Sequence, residues 1–202
     1  MAEKPKKLPP HDSWITIAPG EKVEVDAAFQ NKWRETTERL RAVRGHVLAA
    51  CFEIEFSVDS LIAKAFFPEA APEPSEDHRE YFDELLLKGP NLTFRSKIDL
   101  LGKMRTRFDS LAQVIASELV AKLHQVRDIR NRFAHYPVAF KQVKTGSGEL
   151  DISATLECRD ASIELSSEYL EKLGALLGET QENLQNANKE LSEKQKPAPA
   201  GA

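Results

Sequence analysis

Residues 127–135, with the sequence RDIRNRFAH, hold the side chains of this chain that best suit chemistry on a phosphate. Arginine stays charged and presents a planar set of donors that fits phosphate oxygens. Histidine titrates near neutrality, so His135 can accept or donate a proton at ambient pH. The stretch therefore offers candidates for acid–base catalysis and phosphate binding, namely Arg127, Asp128, Arg130, Asn131, Arg132 and His135.

This stretch closes a segment, residues 110–137, that has a helical pattern. Its apolar residues recur at steps of three and four, which predicts a helix with one face in a core. Ser110 and Gln113 match a capping box at its start, and Pro137 predicts its end. The apolar face consists of Leu111, Val114, Ile115, Leu119, Leu123, Val126, Ile129 and Phe133.

A straight helix does not bring Arg130 and His135 together. At ~100° per residue, the two side chains lie roughly 140° apart around the helix axis. Either the helix unwinds before Pro137, or a second copy of the chain supplies the other half of a site.

The arginine–histidine spacing resembles the signature of the HEPN superfamily. Arg130 and His135 stand at the signature positions with four residues between them, and Asn131 is the polar residue that often follows the arginine. The resemblance implies a helical bundle that dimerises along its motif helices, and many such domains are metal-independent ribonucleases.

In that interpretation Arg130 and His135 are the catalytic residues. Cleavage of RNA without a metal needs a base for the ribose 2′-OH, a cation for the charge that grows on phosphorus, and a proton for the leaving 5′-oxygen. The expected product is a 2′,3′-cyclic phosphate, and DNA should resist cleavage because it lacks the attacking hydroxyl. Asn131, Arg127 and Arg132 are the expected substrate-binding residues, and no cofactor or metal is called for.

The order of elements is also similar to the mannitol-operon-repressor family, which is grouped with regulatory proteins. The stretches EIEFSVDSLI and LTFRSKIDLLGKM, which precede the motif helix, carry this likeness. It implies a non-catalytic regulatory or binding dimer. A further alternative is a toxin-type or defence ribonuclease that an antitoxin or regulatory protein holds silent.

A purely structural interpretation of the motif remains open. Cations are favoured near a helix C-terminus, and Asn can bond freed carbonyls, so the cluster could simply stabilise the helix end. For His135 alone that interpretation is the better one; the spacing with Arg130, Asn131 and Pro137 favours a ribonuclease. His124 is expected to be structural, and Asp128 stays unassigned.

Composition limits the class of protein. The 202 residues fit one domain, and 41% hydrophobic residues suffice for a core. No apolar run approaches the ~18 residues of a membrane span, and no leader pattern is present, which favours a cytoplasmic protein without membrane contact. Cys51 and Cys158 match no disulfide or zinc pattern, so both are expected to be reduced.

Charge is distributed unevenly along the chain. Residues 95–144 contain eleven Lys or Arg and four Asp or Glu, a net charge of +7, which leaves −11 for the rest of a chain of net charge −4. Such a local field attracts a polyanion. For any single residue a solvated helix face is the simpler explanation, but the clustering at the motif favours RNA contact.

The remaining pattern predicts a mainly α protein, a helical domain over residues 25–193. A flexible N-terminal arm (1–24), with a possible strand at WITIAP that has no evident partner, and a disordered tail (194–202) flank it. A helix over residues 26–67 would be about 60 Å long, so a kink or break near Gly45, or a dimer that covers the excess, is expected. The carboxylates of Glu53, Glu55 and Asp59 on this helix need partners, at the solvent edge or at core-edge arginines.

Further elements follow in order. Before the motif, the pattern predicts a proline-rich loop to the N-cap Ser75, a short helix to Lys88, a turn at residues 89–91 and a helix over residues 92–107. A β-hairpin over residues 138–158 and a C-terminal helix from Ser166 come after it. The leucines of that last helix recur near heptad spacing, which fits core packing or a seam between two copies.

Overall fold

Helices dominate the computed structural model. It describes residues 13–15, 27–68, 80, 82–87, 92–144, 150–159 and 161–196. The helices in these ranges are α1 (Ala27–Phe66), α2 (Phe94–Arg105), α3 (Asp109–Val114), α4 (Ser117–His135) and α5 (Ser167–Lys194), with a π-helical turn at Asp83–Leu87. The strands are β1 (Ser13–Ile15), β2 (Val138–Lys144), β3 (Leu150–Glu157) and β4 (Ser162–Glu164). The predicted mainly α class with a hairpin after the motif helix and a long C-terminal helix is confirmed.

Helix α1 runs through Gly45 as one continuous helix of 40 residues. The expected break at this glycine is therefore wrong. The sheet covers part of the extra length, because the ring of Trp33 lies 4.6 Å from that of Phe140 in β2. Burial on α1 is concentrated from Val47 onward, so its first half is mostly exposed.

The motif segment is not one helix from Ser110. Ile115 adopts an extended conformation between α3 and α4, and its buried side chain lies in the core. Arg105 Nε donates to the carbonyl of Ile115 at 2.7 Å and stabilises this break. The predicted capping box at Ser110 is wrong, because Ser110 lies inside α3, whose N-cap, Phe108, makes no side-chain hydrogen bond. Helix α4 begins separately at Ser117.

The strands form one sheet in the order β1-β2-β3-β4. Strands β2, β3 and β4 are antiparallel, and Phe140 lies opposite Ala154. Phe140 and Leu156 are buried, as expected for the face that lies on the helices. Strand β1 pairs in parallel with β2, which corrects the expectation that this N-terminal stretch has no partner.

The core lies between α1, α2, α4 and α5. The C-terminal helix predicted from Ser166 is present as α5, and Ser166 caps it by accepting from Tyr169 N–H. The stripe of α5 is buried inside this chain, which confirms core packing rather than a seam between copies for Leu173, Leu177, Thr180, Leu184, Ala187 and Leu191. No helix of the described ranges has the length and apolarity that crossing a membrane would take.

Several expectations concern residues outside those that the structure describes. The expectations concerned are those for most of the N-terminal arm, the Ser75 cap, the turn at residues 89–91, the tip of the hairpin at residues 145–149 and the tail from residue 197.

Candidate active site

Arg130 lies on the edge of α4 that faces α1. Its Nη2 is 3.6 Å from Glu55 Oε2, and its guanidinium stands over the ring of Phe52, 5.0 Å from the centroid. The side chain keeps 28% of its surface exposed. A carboxylate and an aromatic face both attract a guanidinium, so the fold restricts Arg130 to one region while leaving it accessible.

Glu55 belongs to a buried charge cluster that continues to α2. Lys97 Nζ donates to Glu55 Oε1 at 3.0 Å and to Asp59 Oδ2 at 2.9 Å, and the Lys97 side chain is almost fully buried. Burial raises the pKa of Asp59 to about 6, although the hydrogen bond and charge of Lys97 act in the opposite direction. Of the two alternatives that the sequence left open for Glu55, the solvent edge or a core-edge arginine, the contact with Arg130 fits the second. Lys97 was not foreseen as a partner of Glu55.

His135 is the last residue of α4, and its side chain is exposed. No hydrogen bond or ion pair of its imidazole occurs among the described residues. The helix end itself is held in place, because Tyr136 N–H donates to the carbonyl of Arg132 at 3.0 Å and Arg44 Nη2 donates to that of Ala134 at 2.9 Å. Arg44 thus places a cation at the helix C-terminus, where it is favoured.

Arg130 and His135 do not converge within one chain. Helix α4 is continuous to His135, so the alternative of unwinding before Pro137 is wrong. The offset of roughly 140° between the two side chains therefore stands. A site that uses both residues needs a second source for one of them.

The predicted substrate-binding residues divide between two faces of α4. Arg127 donates to Asp128 Oδ1 from Nη2 at 2.6 Å and from Nε at 2.9 Å, and its Nη1 is 3.3 Å from His124 Nδ1. Asn131 and Arg132 are exposed on the side that carries His135. Asp128, left unassigned from the sequence, thus neutralises Arg127.

Two phenylalanines on α1 are exposed, Phe52 under the guanidinium of Arg130 and Phe56 one helical turn further along. Phe52 keeps 54% and Phe56 keeps 73% of its surface in contact with solvent. They stand four residues apart on a helix, so both lie on one face. Sequence reasoning missed this pair; the signal was a phenylalanine on either side of the carboxylates in CFEIEF.

The described residues offer few candidates for metal binding or for thiol chemistry. Among the described residues, no group of three or more His, Cys, Asp or Glu is arranged to hold a metal ion. Both cysteines are free, and burial raises the pKa of Cys51 to about 11, so its thiol stays protonated at neutral pH.

Comparisons with protein-family models, with curated proteins and with solved structures found no match to this chain.

Proposed function

We propose that this protein is a metal-independent endoribonuclease that cleaves single-stranded RNA in the cleft of a homodimer. The observation that carries the proposal is the contrast between two residues of one helix. Arg130 is a partly exposed guanidinium held by Glu55 and Phe52, and His135 is an exposed imidazole with no hydrogen bond in the described part of the chain. The HEPN resemblance of the sequence supports the same assignment.

The reaction assigns a simple role to each residue. A neutral His135 takes the proton from the ribose 2′-OH, and the 2′-oxygen forms a bond to phosphorus as the bond to the 5′-oxygen breaks. The guanidinium of Arg130 stabilises the negative charge that develops on the phosphoryl oxygens. A second proton goes to the leaving 5′-oxygen, from solvent or from the imidazolium, and the products are a 2′,3′-cyclic phosphate and a 5′-hydroxyl.

A dimer supplies the missing half of each site. With Arg130 facing α1 and His135 facing away, a two-fold axis brings Arg130 of one chain to His135 of the other, and generates two equivalent sites. Phe52 lies next to Arg130 and Phe56 shares its face of α1, so the surface that must meet a second copy is also apolar. Buried aromatic side chains are frequent anchors of protein interfaces.

Cleavage of a labelled single-stranded RNA in excess EDTA tests the proposal. Loss of an acid–base group costs roughly 100-fold or more, and loss of a charge-stabilising donor costs a similar factor. We therefore expect His135→Ala and Arg130→Lys to lose at least about 100-fold in rate. Arg130→Lys is preferred to alanine because it keeps a positive charge beside the buried Glu55.

His124→Ala is the matched control, since it removes a histidine from the same helix. It should retain most of the wild-type rate, and all variants should keep the helical circular dichroism of the wild type. Activity that EDTA abolishes and a divalent ion restores would disprove the metal-independent mechanism. Equal rates in wild type, His135→Ala and Arg130→Lys would remove the enzymatic proposal.

A non-catalytic regulatory or binding dimer is the second candidate function. The contact between Arg130 and Glu55 favours it, because a guanidinium paired with a carboxylate is less available to a phosphate. This candidate predicts RNA or protein binding without cleavage. Expression of the wild-type chain also separates the two candidates: growth inhibition that His135→Ala relieves indicates an enzyme.

A further inference from the structure

A polar groove lies on the side of α4 that carries His135, opposite to Arg130. Two adjoining hollows of about 360 and 350 Å³ form it, and both are lined by Asp128 and Arg132. The first hollow extends over the start of α5, with Tyr169 and Lys172. The second extends to the connection between β3 and β4, with Tyr136 and Arg159. We call the two together the α4–sheet groove.

The groove has a net positive charge when the charges that are balanced by ion pairs are left out. Asp128 is bound by Arg127 at 2.6 Å, and Lys172 is bound by Glu168 at 2.6 Å, so these charges are balanced. Arg132 and Arg159 have no ion pair with a carboxylate in the part of the chain that the structure describes. Two guanidinium groups thus remain to attract an anion, in a chain whose net charge is −4.

The groove also offers groups that suit a nucleotide. Tyr136 and Tyr169 are half-buried; Tyr136 lines one hollow, Tyr169 lines the other, and Arg132 lines both. Burial raises the pKa of Tyr169, while the charge of Arg132 and its hydrogen bond to the phenol act against this. Aromatic rings stack with bases of any identity, and exposed Asn131 can donate to a phosphate or a ribose.

We propose that the α4–sheet groove binds the sugar–phosphate backbone of single-stranded RNA, with Arg132 and Arg159 on successive phosphates. The proposal rests on the ribonuclease function proposed above, and it extends the expected contacts of Asn131 and Arg132 to residues of α5 and of the connection after β3. Asn131 lines the groove, and His135 follows it by one helical turn. A strand in the groove therefore leads to the imidazole, and the hairpin takes part in substrate binding through the residues that follow β3.

Equilibrium binding of a fully 2′-O-methylated RNA to the full-length protein tests the groove without interference from cleavage. We expect Arg159→Glu to weaken binding by about tenfold, since a charge-assisted contact is lost and a repulsive charge gained. The slope of log affinity against log salt concentration should become shallower by about 0.7 for each phosphate contact removed. Asn131→Asp is a second variant at an exposed position, and it should also weaken binding.

Arg107→Glu is the matched control, with the same change in net charge. Arg107 follows α2 and stands next to α3, and Lys194 at the far end of α5 bonds Gln113 of α3 at 2.9 Å. Because α5 is about 40 Å long at ~1.5 Å per residue, this control lies far from Tyr169. Arg107→Glu should leave the affinity and the salt slope near those of the wild type.

The outcomes separate this proposal from the enzymatic one. If Arg159→Glu and Asn131→Asp bind like Arg107→Glu, the groove does not hold the strand, whether or not the wild type cleaves RNA. If both weaken binding but unmodified RNA is never cleaved, the groove stands as a binding site and the ribonuclease proposal fails.

Discussion

Arg130 and His135 differ most in how the fold holds them. The side chain of Arg130 contacts Glu55 and the ring of Phe52. The backbone before His135 is held by Arg44, whereas the imidazole of His135 makes no hydrogen bond among the described residues. A cation stabilises a transition state more effectively when the fold holds it in position before the reaction. An imidazole that must exchange protons benefits from access to solvent.

The pKa of the partly buried Asp59 predicts how the stability of the protein depends on pH. Its pKa in the folded protein is raised from 3.8 to about 6, so the folded state holds the proton more tightly than the unfolded chain. Its contribution to the free energy of unfolding therefore falls as the pH rises from about 4 to about 6, by less than about 3 kcal/mol because solvent screens the partly exposed carboxylate. Asp59→Asn lacks this titration.

Chemical denaturation of wild type and Asp59→Asn at several pH values measures the effect as a difference. The wild type should lose stability relative to the variant as the pH rises through this window. A difference that stays constant from pH 4 to 7 would show that Asp59 has an ordinary pKa in the folded protein.

At the residue level, the sequence predicts which groups can act but not how they are held. The spacing of Arg130 and His135 was sufficient to derive their angular offset, because a helix has a fixed period. The pairs that Lys97 forms with Glu55 and Asp59 join residues about 40 positions apart. No local pattern encodes such a contact, so those partners appear only in the folded chain.

Helix α1 is the element that joins the sheet, the core and the candidate site. Gly45 lies in its interior, and a methyl group added there would meet nothing within 4 Å. Glycine weakens a helix interior by about 0.5–1 kcal/mol relative to alanine. We therefore expect Gly45→Ala to raise the free energy of unfolding by about this amount, as measured by urea denaturation. Lower stability would indicate that the helix bends at this position.

The errors at the level of elements have physical causes. The apolar period of residues 110–137 continues through Ile115 because this residue is buried in either arrangement, and it therefore conceals the break between α3 and α4. Strand β1 lacked a visible partner because parallel pairing with β2 spans most of the chain. The hairpin and the start of α5 were predictable because each depends on neighbouring residues.

At the scale of the whole molecule, the exposed phenylalanines predict where two copies meet. Loss of an aromatic anchor costs about 2 kcal/mol or more, so Phe56→Ser should weaken the dimer by at least roughly tenfold. Analytical ultracentrifugation measures this change, and cleavage should fall with the dimer fraction.

Phe66→Ser is the control, because Phe66 is exposed at 45% but lies against the rings of Phe82 and Phe108. It should lower thermal stability and leave the dimer intact; equal dimer affinity in wild type and Phe56→Ser would place the interface elsewhere.

The composite site is the central claim, and mixing two inactive variants tests it most directly. Arg130→Lys and His135→Ala homodimers each lack an intact site, but their heterodimer has one doubly damaged site and one wild-type site. With free exchange, about half of the dimers are mixed, so cleavage should return to roughly a quarter of the wild-type rate if the sites act independently. Native mass spectrometry of the mixture establishes that exchange is complete. Complete exchange with cleavage still at the level of the single variants would contradict a site built from Arg130 of one chain and His135 of the other.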